Sequence, residues 1–470
     1  MQKKQIHLNA FAQNSVSPHA IGLWKHPKHE GSRHGDLDYW VQLAKLLEKG
    51  KFDTLFLADV LGIYDVYQGS YQTAIEQAVQ VPAHDPLLII SAMAQATESL
   101  GFAVTASTTY SEPYKLARQF STLDHITKGR IAWNIVTSYL ESEAVNLGLK
   151  TRIEHDERYE RADEFMDVVY KLWEKSWEDD ADAVIQDVER EKFADATKVH
   201  PIRHKGDYFH VPGIHLVEPS SQRTPVLFQA GASPRGREFA AKHAEAIFTD
   251  TQNSKNAVEE LRRFSDDIRQ RVATYGRNRK DIKIFPGLVP IVGSTEAEAL
   301  EKYEYLKSLV DYDGALALLS GHTGVDLSVY DPDDYVEDMK AGAIQSTFQS
   351  YTSTNPKYKW TIKDAVLHHG LGAGSTTVVG TPEQIADHLT KLALEGGADG
   401  FNIGQTVIPD TLSEFIHDVV PELQNRGIYR KDYESSTLRE HLFGKGQTTL
   451  KECHYGKSVT IQQQEKLEEV

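Results

Sequence analysis

The chain predicts an α/β fold, specifically a (β/α)8 TIM barrel carrying insertions. Three observations lead there. Eight short apolar runs recur along the sequence, and helical patterns separate most of them. The runs are close to continuously apolar, as parallel strands covered on both faces must be. No Asn-Gly hairpin signal separates them, and no Gly-x-Gly-x-x-Gly follows the first run, which disfavours an open doubly wound sheet.

The elements follow in order. Ile6–Phe11 reads as the first strand. A helix is expected over Leu37–Leu47, with Leu37, Val41, Ala44 and Leu47 on one face. Thr54–Ala58 and Gly101–Thr108 are the second and third strands. Pro113 opens a helix that Lys128-Gly129-Arg130 ends, and Ile131–Thr137 is the fourth strand. Val226–Ala230, Ala246–Thr249, Ile282–Val292 and Gly400–Ile403 complete the eight, the last after a helix over Pro382–Leu394. A barrel needs roughly 250 residues, so the 470-residue chain must carry insertions, at about 140–224 and 305–375. Arg158–Trp173 in the first has helical spacing, and Glu178-Asp-Asp-Ala-Asp182 is acidic and solvated. The glycine-rich Gly370–Ser375 reads as a mobile loop, His368-His369 as a solvated one, and the second insertion as a lid. Residues 1–429 are taken as one barrel domain and 430–470 as a polar C-terminal extension.

Composition narrows the function. With 51 basic and 68 acidic residues the net charge is −17, which disfavours nucleic acid and anionic membranes as partners. No apolar run approaches a membrane span, and the first residues lack a signal-peptide core. The single cysteine, Cys453, precludes an intrachain disulfide or a thiolate metal cluster, so a cytoplasmic protein is expected. Serine-hydrolase elbows and Walker loops are absent.

Residues 225–237 carry the clearest chemistry. A strand ends at Gly231, Ser233 stands at an N-cap and Pro234 at the first helical position, so a helix start is aimed at an anion. Ligands of such barrels sit at the C-terminal strand ends. Asp59, Thr105, Ser107-Thr108-Thr109, and Asn134 to Ser138 fall there, a mostly uncharged set suited to a large heteroaromatic ligand. Taken singly, each also reads as a turn or capping residue. His155 and Tyr159 share a helix face with Ala162 beneath. Trp24, Lys25, His26 and Arg33 follow the first strand and read as a substrate-facing loop, with Lys25 or Arg33 suiting an anionic substrate. The histidines there match no metal-ligand spacing, so no metal is expected.

Several ordered motifs carry a resemblance. They are Leu8-Asn-Ala-Phe11, Gly22-Leu-Trp-Lys-His-Pro27, Asp53-Thr-Leu-Phe-Leu-Ala-Asp59, Pro113-Tyr-x-Leu-Ala-Arg118 and Gly129-Arg-Ile-Ala-Trp-Asn-Ile-Val-Thr-Ser138. His155-x-x-Arg-Tyr-x-Arg-Ala-Asp-Glu-Phe165, His204-Lys-Gly-x-Tyr-Phe209 and Gln229-Ala-Gly-x-Ser233 follow. Over about residues 5–425 the chain resembles the flavin-dependent monooxygenases of the nitrilotriacetate monooxygenase component A, pristinamycin synthase and dibenzothiophene-sulfone monooxygenase family, within the bacterial-luciferase-like superfamily. It departs at Gly213-Ile-His-Leu216, where the family often has Gly-Pro-Leu-Asn, and at Ala132, where a glycine is usual.

The resemblance implies a luciferase-like barrel that binds FMN, supplied reduced by a separate NAD(P)H:flavin reductase, and uses O2 as co-substrate. Asp59, Thr105, His155, Tyr159 and Ser233 would be flavin contacts, with Asn134 and Ser138 lining the same pocket. The substrate would be a small polyaminocarboxylate, organosulfur or heterocyclic compound, and the assembly a homodimer or homotetramer. A deazaflavin-dependent reductase on the same fold and a non-catalytic flavin-binding protein are the alternative readings.

Overall fold

The computed structural model describes residues 4–178, 183–250, 256–338 and 359–461. Eight parallel strands close into a barrel: β1 (His7–Gln13), β2 (Thr54–Ala58), β3 (Gly101–Ser107), β4 (Ile131–Val136), β5 (Val226–Gln229), β6 (Ala246–Asp250), β7 (Lys283–Val292) and β8 (Gly400–Ile403). They pair in sequence order, and β8 returns to β1 with His7 opposite Gly400. The (β/α)8 expectation therefore holds.

Alternation along the strands explains the layering. Phe56, Ala103, Ala132, Val226, Phe228, Ala246 and Phe285 meet inside the barrel. Their neighbours Leu55, Leu57, Phe102, Val104, Ile131 and Trp133 face outward and join the main core with the surrounding helices. These helices include α1 (Leu37–Lys49), α2 (Pro113–Thr127), α3 (His155–Tyr170), α4 (Pro234–His243), α5 (Ala257–Thr274) and α6 (Pro382–Leu394). Local chemistry sets their starts. Asp36 caps α1, Pro113 opens α2, and Thr381 with Gln384 forms a capping box on α6.

Three features differ from the sequence reading. A ninth strand, Thr376–Gly380, pairs parallel with the second half of β7, Leu288–Val292. Its β-branched run was hidden by the glycines before it, since a five-residue strand offers little periodicity. Those glycines form no open loop. Gly370, Leu371, Gly372 and Ser375 are buried, and the Gly370 carbonyl accepts from the Ile21 amide at 2.8 Å. Two antiparallel hairpins, Val184–Asp187 with Lys192–Ala194 and His204–Lys205 with His210–Val211, lie in the first insertion, outside the barrel sheet.

The second insertion contributes two helices, Tyr312–Thr323 and Ile362–His369, which pack on Tyr64, Val79 and Leu140 in a separate apolar cluster. The remainder of the lid reading, 339–358, lies outside the described residues, as do most of the acidic run after Glu178 and the last nine residues of the extension. Residues 430–461 cross the N-terminal face of the barrel. Leu438 and Leu442 enter its lower interior, and the Leu438 amide donates to the Gly129 carbonyl at 3.0 Å. No helix among the described residues is long and apolar enough to cross a membrane.

Candidate functional site

With the N-terminal face filled, the C-terminal strand ends are left to receive a ligand. Ser233 caps α4 as its sequence suggests: Oγ accepts from the Gly236 amide at 3.0 Å, and Pro234 occupies the first turn. Gly231 and Gly236 approach one another beside the Tyr159 hydroxyl. A Cβ on Gly231 would stand 2.8 Å from Gly236 Cα and 2.9 Å from Tyr159 Oη, so only glycine leaves this cradle open. His155 packs edge-on against Tyr159 and places Nε2 3.4 Å from Ser233 Oγ. The Arg235 guanidinium lies 5.3 Å over the Tyr159 ring. Asp163 holds Arg235 there and also accepts from Lys242 and His243, both at 2.9 Å.

A second group covers the ends of β2 to β4. Thr105 Oγ1 donates to the Leu57 carbonyl at 2.9 Å and accepts from Asn134 Nδ2 at 2.9 Å. Asn134 Oδ1 is left buried with no hydrogen-bond partner among the described residues. Ser138 adopts the left-handed conformation, φ 58°. This turns its hydroxyl to within 2.8 Å of Ser107 Oγ and 2.7 Å of Glu143 Oε1. Burial pushes the Glu143 carboxyl up to about 7, with Asp59 acting in the same direction. Asp59, which directly follows β2, is itself pushed up to about 6 by burial and by Asp85.

All seven residues read as ligand contacts thus stand at the C-terminal ends of β2 to β5 or at the start of α3. Trp24, Lys25, His26 and Arg33 are placed differently. Trp24 and Lys25 are exposed on a short helical turn, and His26 packs against Tyr305. Arg33 pairs with Glu30 and Asp36 on its own loop.

Side chains not singled out from sequence complete the mouth. Tyr64 Oη lies 2.6 Å from Tyr139 Oη and 3.2 Å from His322 Nε2, and it donates to Gln80 Oε1 at 3.1 Å. His322 Nδ1 continues to His369 Nε2 at 2.8 Å. His369 is buried at the end of a helix, contrary to the solvated-loop reading. Burial lowers His322 to about 4, His19 to about 3 and His369 well below its ordinary value, so the chain is uncharged at neutral pH. His19 stacks on Phe11 at 4.4 Å, and Phe11 on Phe248 at 5.3 Å, giving an aromatic floor beneath. The one sequence signal for this group was the histidine content of the second insertion. Among the described residues no cluster of His, Cys, Asp or Glu is arranged to hold a metal.

Such an arrangement can seat an anion at the Ser233–Tyr159 cradle, a polar planar group along β2 to β4, and an apolar molecule over the aromatic floor. The family described as Luciferase-like monooxygenase matches residues 7–400. Long-chain alkane monooxygenase of Geobacillus thermodenitrificans is 52% identical over 96% of this chain and 97% of its own. Dimethyl-sulfide monooxygenase of Hyphomicrobium sulfonivorans is 47% identical over 96% and 93%. A crystal structure of riboflavin lyase, determined with modified FMN and riboflavin, superposes with a TM-score of 0.90 at 34% identity, covering 98% of this chain and all of that one. The chain belongs to the luciferase-like monooxygenase family.

Proposed function

We propose that this protein is a two-component monooxygenase. It uses O2 and reduced FMN, supplied by a separate NAD(P)H:flavin reductase, to oxygenate a small uncharged organic molecule, and it works in the cytoplasm. The observation that carries this reading is the glycine cradle closed by Tyr159 Oη and Ser233, which a single added Cβ would fill. The buried, unpartnered Asn134 Oδ1 is the second sign that the residues fit a polar heteroaromatic ligand. Ser233, Tyr159 and His155 would hold the 5′-phosphate; Asp59, Thr105, Asn134 and Ser138 would serve the ring and ribityl chain.

Reduced FMN held by these residues would supply the oxygen chemistry, in which one atom of O2 goes to substrate and the other to water. The protein orients and shields. Phe11, Phe56 and Phe248 form an apolar floor that excludes water from the reacting region. Tyr64 Oη and His322 Nε2 are placed to hold or pass a proton through an uncharged chain. Because the histidines are neutral and Arg33 is engaged elsewhere, an organosulfur compound or hydrocarbon suits the mouth better than a polyaminocarboxylate. The names of two similar proteins, long-chain alkane and dimethyl-sulfide monooxygenase, support that choice.

The test is turnover with an added flavin reductase, NADH and FMN under 18O2, over dialkyl sulfides, alkanes and aminocarboxylates. One labelled oxygen in an apolar product is expected. Flavin binding without substrate-dependent label in any class would sink the monooxygenase reading.

A further inference from the structure

We propose that Arg158 supplies the buried positive charge that receives the flavin 5′-phosphate, and that Glu143 takes up a proton as the phosphate arrives. The inference rests on the flavin reading above and adds to it a cation and a proton acceptor.

Arg158 is 5% exposed and immediately precedes Tyr159 on α3. A guanidinium carries five N–H donors. Here Nη1 reaches the Thr137 carbonyl at 3.3 Å, and Nε has no partner among the described residues. No carboxylate lies within ion-pairing distance of it among the described residues, and Arg152 adds a like charge nearby. A buried charge without a counter-ion is strongly unfavourable. Beside it Tyr110 Oη is also buried, with no hydrogen-bond partner among the described residues. Glu143 faces Arg158 without forming an ion pair with it, and the region adjoins the cradle: Thr137, which Arg158 contacts, is also a hydrogen-bond neighbour of Tyr159, as is Ser233.

Glu143 is held by Ser138, the residue after Thr137, and is 3% exposed. While ionised, its Oε1 accepts from the Ser138 hydroxyl at 2.7 Å. Once protonated, Glu143 donates to Ser138, whose own proton turns to Ser107 Oγ, 2.8 Å away. The groups facing Glu143 are Asp59 from the end of β2, Tyr64 beyond it, Tyr110 after β3, Tyr139 after β4 and Arg158 from α3. Burial already leaves this carboxyl balanced near neutrality, and two further negative charges close by favour its protonated form. The flavin phosphate stays a dianion, and solvent supplies one proton to the Glu143 carboxylate.

Calorimetric titration with FMN and with riboflavin at pH 8, in two buffers of different ionisation enthalpy, tests this. A phosphate monoester is already dianionic there. Wild type should take up roughly half a proton or more per FMN and none with riboflavin. Glu143→Gln should bind FMN without the uptake. Arg158→Met should weaken FMN about tenfold or more and riboflavin less than about twofold, with Arg158→Lys recovering part of the loss. Retained riboflavin binding shows that the variants fold. Persistent uptake in Glu143→Gln would place the proton on another group and overturn the proposal. So would an Arg158→Met variant that weakens both flavins equally or neither. A wild type that binds neither flavin overturns the flavin reading itself.

Discussion

Glu245 and Arg439 form a two-pronged ion pair beneath the barrel, with Arg439 Nε 2.8 Å from Oε1 and Nη2 2.9 Å from Oε2. Arg439 is 1% exposed and also donates to the Thr224 and Thr448 carbonyls at 2.9 and 2.8 Å. The pair therefore ties the C-terminal segment to the starts of β5 and β6. Removing the guanidinium strands a buried carboxylate, and Arg439→Met should cost about 3–5 kcal/mol. Adding Glu245→Gln should restore part of that. Urea unfolding of both variants checks it, and additive losses would show that the two residues act independently.

Asp53 at the start of β2 accepts from the His7 ring and the Leu8 amide, both at 3.0 Å, and pairs with Arg430. Burial pushes its carboxyl up, but Arg430 and His7 outweigh burial and hold it well below the usual carboxylate range. A depressed carboxyl contributes stability above its unfolded value of about 3.9, and that contribution is lost as pH falls toward the folded value. Wild type should thus begin to lose its stability margin over Asp53→Asn between about pH 5 and pH 3 and go on losing it as pH falls further. Urea midpoints across that window read the effect; a constant margin would contradict it.

Ser233→Ala should act twice. Losing a hydroxyl donor to a charged oxygen should weaken FMN by about 1–2 kcal/mol. Losing the cap on the Gly236 amide should lower stability by about 1 kcal/mol. Flavin fluorescence titration and thermal unfolding separate the two. Unchanged FMN affinity with lowered stability would leave Ser233 a cap only.

Tyr64→Phe removes the hydroxyl shared by Tyr139, Gln80 and His322 while keeping the ring. Oxygenated product should fall about a hundredfold, with FMN affinity within about twofold of wild type, because the chain handles protons apart from the cradle. Product formation with O2 uptake measured in parallel checks this. Equal loss of FMN binding would make Tyr64 a structural residue of the pocket.

Where the governing chemistry is local, the sequence was readable. Pro113 and the stop at Lys128-Gly129 bound α2, where Lys128 adopts the left-handed conformation with φ 56°. The Ser233-Pro234 pair sets the start of α4. The i, i+4 spacing of His155 and Tyr159 puts both beside that start. What escaped was non-local. His322 and His369 are 47 residues apart and meet Tyr64 and Tyr139 from two other loops, which no short-range pattern encodes. Arg158 reads as one charge among many on a surface helix, and only its burial distinguishes it.

By itself the sequence determined the barrel, its eight strands and the cradle after β5, because apolar runs, helix periodicity and capping act within a few residues of chain. The tertiary structure alone decided which histidines are neutral, which arginines are buried without an ion pair and what seals the N-terminal face. Those outcomes depend on desolvation and on contacts between distant segments, and a residue's burial exists only once the chain has closed around it.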